Sequence, residues 1–175
     1  MSTTSSAPTP PVTARDHVLG PVDAPLTIVE YGDFECPACG QAFGHMQRAR
    51  RQLGDRLRIV FRHFPLDRHP HAALAAEAAE AAGAQGSFWE MHDMLFHHQN
   101  RLEREDLIAY AQRLELDVER FASELAEQRH RERVEQDLAS AVANRVEATP
   151  GVFVGATLLP AGVYSSDVLV HELSG

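Results

Sequence analysis

Apolar residues along this chain alternate between strand-like runs and helical spacing, in an order that predicts the fold. Leu26 to Tyr31 is a short, β-branched run between Pro25 and Gly32 and predicts a buried strand. A helix is predicted from the cysteines at 36 and 39 to about Leu53, where Gly54 ends it. Pro37 falls in its first turn, where a missing N–H costs nothing. Leu57 to Phe64 predicts a second strand, stopped by Pro65. Strand, helix, strand with a connection of this length is a right-handed βαβ unit with parallel strands.

Between Pro70 and Glu147 the apolar residues keep helical spacing. Ala72 to Ala84 is an Ala-rich helix, and Phe88, His92, Leu95 and Phe96 share a face behind a capping-box pair, Ser87 and Glu90. Three further stripes follow: Leu107, Ile108, Ala111 and Leu114; Val118, Phe121, Ala122 and Leu125; Val134, Leu138, Ala141 and Val142. Strand character returns at Gly151–Val154 and weakly at Thr157–Leu159, and a last helix is predicted from Ser166 to Leu173. The order predicts an α/β domain built from 15–66 and 148–175, interrupted by an all-helical insertion over 67–147 and preceded by a flexible leader over 1–14.

A chain of 175 residues is long enough to bury a core as one domain. Its net charge of −9, with arginines scattered among acids, argues against a nucleic-acid surface. No stretch approaches the roughly 18 uninterrupted apolar residues of a membrane span. The first eleven residues are rich in Ser, Thr and Pro and lack the basic start and apolar core of a signal peptide. The expected location is therefore the cytoplasm; a mis-assigned start would move the expectation to the periplasm or the outside of the cell.

The chain has two cysteines, and both lie in Phe34-Glu-Cys36-Pro-Ala-Cys39-Gly40, between a predicted strand and a predicted helix. That placement lets one thiol act as nucleophile and the other as its resolving partner, so thiol–disulfide exchange is the leading reading. A structural zinc site would have to recruit two more ligands from the ten histidines. A purely structural disulfide would close a very short loop and add little stability. In a reducing cytoplasm standing disulfides are rare, which favours redox work. At a helix start Cys36 faces unsatisfied N–H groups and the positive end of the helix dipole, which favour its thiolate, whereas Cys39 lies one turn further in. Glu35 adds a negative charge that would raise the Cys36 pKa if its carboxylate were close. Glu30 interrupts the apolar strand six residues before Cys36, where a carboxylate is costly unless it is functional or paired with Arg58 or Arg62 on the next strand. None of the histidines forms a His-Glu-x-x-His zinc pattern, so solvated or capping roles are expected for His69, His71, His92, His97 and His98. The cluster Phe88, Trp89, Met91, Met94 and Phe96 reads as helix core, with a groove beside the cysteines as the other possibility.

The order of elements, the Cys36-Pro-Ala-Cys39 pair and Thr149-Pro150 before the third strand resemble the thioredoxin superfamily, and the helical block resembles its DsbA-like branch. Local strings carry the same resemblance: His17-Val-Leu-Gly-Pro21, Val29-Glu-Tyr-Gly-Asp-Phe-Glu-Cys-Pro37, Phe61-Arg-His-Phe-Pro-Leu66, His69-Pro-His-Ala72 and Phe88-Trp-Glu-Met-His92. The resemblance implies a thioredoxin fold (βαβ…ββα) with the helical insertion, Cys36 as attacking thiol, Cys39 as resolving thiol and Glu30 as the acid that exchanges a proton with Cys39. It also implies a cis peptide at Thr149-Pro150, whose backbone would hold an extended substrate beside Pro37 and Ala38. Ala148 and Gly151 depart from the usual pattern of that loop. The strongly oxidising members carry His where Ala38 stands, so a less oxidising pair is expected.

The expected function is disulfide exchange with protein or peptide substrates and a redox recycling partner, with no cofactor. The chain would serve as reductase or relay in the cytoplasm and as oxidase if exported. The rival from another class is a non-enzymatic metal-binding or redox-sensing thiol module on the same fold.

Overall fold

The computed structural model describes residues 11–174 of the chain; 1–10 of the expected leader lie outside them. The elements are β1 (His17–Leu19), β2 (Leu26–Gly32), α1 (Pro37–Leu53), a single 3-10 turn at Gly54–Arg56, β3 (Leu57–His63), α2 (Ala72–Gly83), α3 (Phe88–His97), α4 (Arg104–Arg113), α5 (Val118–Ala126), α6 (Arg131–Ala143), β4 (Gly151–Val154), β5 (Thr157–Leu158) and α7 (Ser166–Ser174).

The strands form one mixed sheet in the order β1-β3-β2-β4-β5, with β2 parallel to β3 and the other pairs antiparallel. β2 is central, and its alternate residues serve opposite faces. Ile28 packs with Ala42, Met46 and Ala49 of α1 and Leu169 of α7. Val29 and Tyr31 pack with Val60, Phe153 and Ala141 of α6 on the other face. Helices α2 to α6 all fall between β3 and β4; the apolar stripes of α2 to α5 join Phe34, Phe43 and Phe61 in the largest cluster, while α6 packs on the Val29 and Tyr31 face.

β1 was not among the predicted strands. It is three residues long and half-buried, and its pairing with β3 supplies what its own composition does not. Ser87 stands at the start of α3, but its side chain makes no capping bond, so the expected box with Glu90 is not formed. Asp117 does cap α5, accepting the Arg120 N–H at 3.0 Å. Val142, expected in the core stripe of α6, is 66% exposed. The buried face of α6 instead carries Asp137 and Ser140 beside Val134 and Ala141, because Asp137 accepts the backbone N–H of His63 (2.9 Å) and Ser140 shares a hydrogen bond with the Tyr31 hydroxyl (2.7 Å). Hydrophobic spacing alone cannot register a helix face that is polar because it completes the hydrogen bonds of a neighbouring strand. Beside that contact, buried Arg62 donates to Asp16 (2.9 and 3.1 Å) and to the Tyr31 hydroxyl (2.8 Å); the Arg62 bonds to Asp16, with the Thr13 N–H, hold the Asp16 carboxyl below its ordinary range despite its burial.

Candidate active site

Cys36 is the N-cap of α1, with an extended backbone (φ −74°, ψ 121°), and Pro37 occupies the first turn. Both thiols are free and buried, Cys36 at 4% exposure and Cys39 at 0%. Their surroundings push them apart. The Cys36 thiol is lowered to about 5, first by a hydrogen bond from the Cys39 thiol and further by Thr149 and the backbone N–H groups of Cys39 and Ala38, all of which outweigh its burial. Burial drives the Cys39 thiol far up, helped by that same bond and by the nearby Glu30 and Cys36 charges.

The Thr149–Pro150 peptide is cis and leads into β4, which pairs with β2 and so sets this loop across from the cysteines. The Cys36 Sγ lies 3.6 Å from the Thr149 carbonyl oxygen. Pro37 is exposed, Ala38 half-buried, and a cleft of about 350 Å³ opens beside Pro150, walled by Val146, Ala148, Leu158 and Leu159. Gly151 has its own cause here: a Cβ at that position would collide with the Val146 side chain.

Glu30 is 2% exposed, and its Oε1 is buried without a hydrogen-bond partner. Burial, seconded by the Cys36 charge, raises its carboxyl to about 8. The expected ion pair with Arg58 or Arg62 is not formed. Glu30 lies opposite Phe61 in the β2–β3 register, whereas Arg58 and Arg62 lie opposite Thr27 and Tyr31 and point to the other face of the sheet. Arg58 bonds Thr27 Oγ1 (2.8 Å) and the Val22 carbonyl (2.6 Å), and Arg62 bonds Asp16.

Glu35 turns away from the thiol. Its carboxylate accepts from the His71 backbone N–H (2.7 Å) and pairs with His71 Nδ1 (2.8 Å), and His71 Nε2 meets Glu103 at 2.9 Å, so the expected rise in the Cys36 pKa has no source here. The two carboxylates, Glu35 first, raise the His71 pKa. His69 bonds Asp33 rather than water (2.7 Å). His92 is buried in the aromatic cluster, with Phe88, Met91 and Phe96 in the core and Trp89 and Met94 packed at its edge. His17, His63 and Glu80 bring donor atoms close enough to hold a metal ion; as they stand, Glu80 Oε1 bonds His17 Nε2 (2.8 Å) and His63 Nε2 (2.7 Å), which hold its carboxyl low against its burial.

Two further residues shape the loop. Asp33, 1% exposed, accepts from the Glu35 N–H (2.8 Å), the Leu66 N–H (2.9 Å) and His69, while its own N–H points to the Cys39 sulfur at 3.5 Å. A polar residue inside the run before Cys36 was its visible signal. Gln99, at the far end of α3, donates its amide to the carbonyls of Phe34 (3.0 Å) and Cys36 (2.8 Å). No local pattern marks Gln99, because its partners stand more than sixty positions away. Gly40 is the matching contact, since a Cβ there would collide with the Gln99 amide. Gln99→Ala is expected to destabilise the protein by about 1–3 kcal/mol, the range for leaving buried acceptors unpaired, and to raise the Cys36 alkylation midpoint as the loop loosens. Urea denaturation and thiol alkylation against pH check both parts.

Three comparisons bear on this geometry. A family model described as Thioredoxin matches residues 13–163. The thioredoxin-like oxidoreductase from Silicibacter pomeroyi superimposes with a TM-score of 0.82 at 25% identity, covering 93% of this chain and 92% of that one. Oxidised BdbD from Bacillus subtilis gives 0.80 at 25% identity over 91% and 94%. In sequence, the chain is 54% identical over 143 residues to a protein named Na(+)/H(+) antiporter NhaA 1 from Salinispora arenicola, covering 80% of this chain but 22% of that protein. The chain thus spans about a fifth of the length of the curated relatives it matches. Among the described residues no helix is long and apolar enough to cross a membrane.

Proposed function

Because the chain belongs to the thioredoxin superfamily, as a DsbA-like thiol–disulfide oxidoreductase, we propose that Cys36 and Cys39 exchange disulfides with protein or peptide substrates, with Glu30 moving the proton of Cys39. The observation that carries this reading is the inequality of the two thiols: one at a helix N-cap and lowered to about 5, the other sealed one turn behind it and raised. Exchange requires a thiolate to attack and a second thiol held in reserve.

In the reducing direction the Cys36 thiolate attacks a substrate sulfur, forming the Cys36–substrate bond and expelling the other substrate sulfur as a thiolate. Cys39 then gives its proton to the Glu30 carboxylate and attacks Cys36. The Cys36–Cys39 disulfide forms and the second substrate thiolate leaves. Two protein thiols are oxidised and one substrate disulfide is reduced; in the oxidising direction each step reverses. The Thr149 backbone and the cleft beside Pro150 would hold the extended substrate across the exposed Pro37 and half-buried Ala38, with the helices over 67–147 as an inserted unit that braces the loop through Gln99.

A Cys36 pKa of about 5 falls between the roughly 7 of reducing thioredoxins and the ~3.5 of the most oxidising members, which supports a pair of intermediate poise. In the cytoplasm such a pair works as reductase or relay, and in an oxidising compartment as oxidase; its reduction potential against the local poise sets the direction. The test is catalysis of insulin-disulfide reduction together with Cys36 alkylation by iodoacetamide against pH. Catalysis and an alkylation midpoint near 5 are expected. No catalysis, with stoichiometric zinc or copper binding at the pair, would replace this reading by the thiol-module one.

A second reading concerns the partner. The matching relatives carry this domain as about a fifth of proteins named as Na(+)/H(+) antiporters, which favours a membrane cation transporter as an exchange partner. Trapping by a Cys39→Ser variant in membranes, followed by identification of the bound chain, tests it.

A further inference from the structure

With its carboxyl raised to about 8, Glu30 holds a proton at neutral pH in the reduced protein and must release it before it can take that of Cys39, yet it is sealed from solvent. It is 2% exposed, its Oε1 has no partner, and Phe61 and Val152 stand opposite it on the neighbouring strands. It lines a small void of about 10 Å³, room for a single water, together with Met46, Gln47, Arg50, Trp89 and His92. Besides Glu30 the polar side chains there are Gln47, Arg50, His92 and Trp89, whose N–H is bonded to the Val18 carbonyl. Gln47 does not titrate, and the guanidinium of Arg50 keeps its proton at any ordinary pH. His92 can accept on one ring nitrogen and release from the other.

The ring of His92 is placed for that work. Its Nδ1 bonds Asp93 Oδ1 at 2.8 Å, and the Asp93 side chain is 41% exposed, so this end of the ring leads to water. With Nδ1–H donated to Asp93, Nε2 carries the free lone pair. Phe34, Phe43, Phe61 and Phe96 enclose the ring at centroid distances of 4.9 to 5.8 Å and hold it in place.

We propose that His92 is the proton relay between Glu30 and solvent, receiving the proton on Nε2 through one water in the shared void and passing it from Nδ1 to Asp93. The inference rests on the exchange reading above and assigns to this chain's third helix a role in the resolving step. The groups that act on His92 are Asp93 on α3, His63 on β3 and His17 on β1, and Glu30 on β2 and Arg50 on α1 line the same void. Burial first, then the His63 and His17 charges, lower the His92 pKa against the pull of Asp93. The ring is therefore neutral near pH 7, the state in which it can accept.

Trp89, the sole tryptophan, lines the same void, and its fluorescence, alongside quenched samples run on non-reducing gels, is the readout for the resolving step. In stopped-flow reaction with a peptide disulfide, His92→Ala is expected to leave mixed-disulfide formation at Cys36 unchanged and to slow resolution by about tenfold or more. Imidazole added to that variant restores the rate, whereas pyrrole, of the same shape without a basic nitrogen, does not. Asp93→Asn, a surface change that leaves the aromatic cluster intact, slows resolution several-fold. The double variant Glu30→Gln/His92→Ala is no slower than Glu30→Gln alone. A His92→Ala protein that resolves at the wild-type rate from pH 6 to 9, rescue by pyrrole equal to that by imidazole, or an unaltered Asp93→Asn would overturn the relay while wild-type exchange stands. Wild-type protein without exchange would remove the function itself, a different outcome.

Discussion

Cys36→Ser is expected to reduce catalysed insulin-disulfide reduction to the uncatalysed background, and Cys39→Ser to complete only the first half of the reaction. The asymmetry follows from where the two sulfurs sit. Cys36 lies at the helix N-cap, where the Cys39 thiol, Thr149 and two backbone N–H groups stabilise negative charge. A serine hydroxyl in that position stays protonated, and an oxygen cannot replace sulfur in a disulfide. Cys39 is buried at 0% exposure, with its sulfur facing the Asp33 N–H, and meets no substrate until Cys36 has captured one. Without it the mixed disulfide persists. Non-reducing gels and intact mass should show Cys39→Ser carrying one covalently bound substrate per chain, Cys36→Ser carrying none, and the double variant carrying none. Equal trapping by the two single variants would mean that the thiols are interchangeable, and the assignment of attacking and resolving sulfur would fall.

The largest stability effect is expected at Glu30. In the reduced protein its carboxyl is raised from an ordinary 4.5 to about 8. The sign follows from proton counting: between these values the folded chain holds a proton that the unfolded chain has released, so stability falls as pH rises. The contribution is fully present below about 4.5 and lost once pH passes about 8. At 1.36 kcal/mol per unit, the wild type gives up on the order of 4–5 kcal/mol across this window through Glu30. Glu30→Gln cannot lose a proton and is spared that loss. Urea denaturation of both reduced proteins from pH 4 to 9 should give curves that converge at the acid end and separate steadily above pH 5, with the variant the more stable. The same variant resolves its mixed disulfide slowly, since Cys39 has lost its proton acceptor. Parallel stability curves would mean that Glu30 is ionised in the folded state and stabilised by some other group. An acid that destabilises the protein at neutral pH and above is expected of functional rather than structural positions, which supports the role proposed for Glu30.

Most of the fold was legible because its elements are strongly patterned. The β-branched run at 26–31, the helix behind Cys36 and the helical stripes from Ala72 to Ala141 each carry their own period. What was not legible depended on partners. β1 exists because β3 offers it an edge, and the polar face of α6 exists because Asp137 and Ser140 bond groups on β3 and β2. Glu35 and Glu30 stand near cysteines in sequence, yet one turns outward to His71 and the other is left without a hydrogen-bond partner on Oε1. Strand parity explains the second outcome: Arg58 and Arg62 stand an odd number of positions from Phe61, the register partner of Glu30, and so lie on the opposite face.

By itself the sequence determined the kind of chemistry and the frame that carries it. Two sulfurs three positions apart at a helix start, with Pro37 between them, are a local arrangement, set by covalent spacing and helix geometry. Only the tertiary structure decided what makes the two thiols unequal. That inequality arises from groups far apart in the chain. Thr149 touches Cys36, Gln99 holds its carbonyl, and buried Glu30 shares a small void with His92. A pKa is a property of surroundings in space, set by burial, nearby charge and hydrogen bonds, and no local pattern of residues contains those distances.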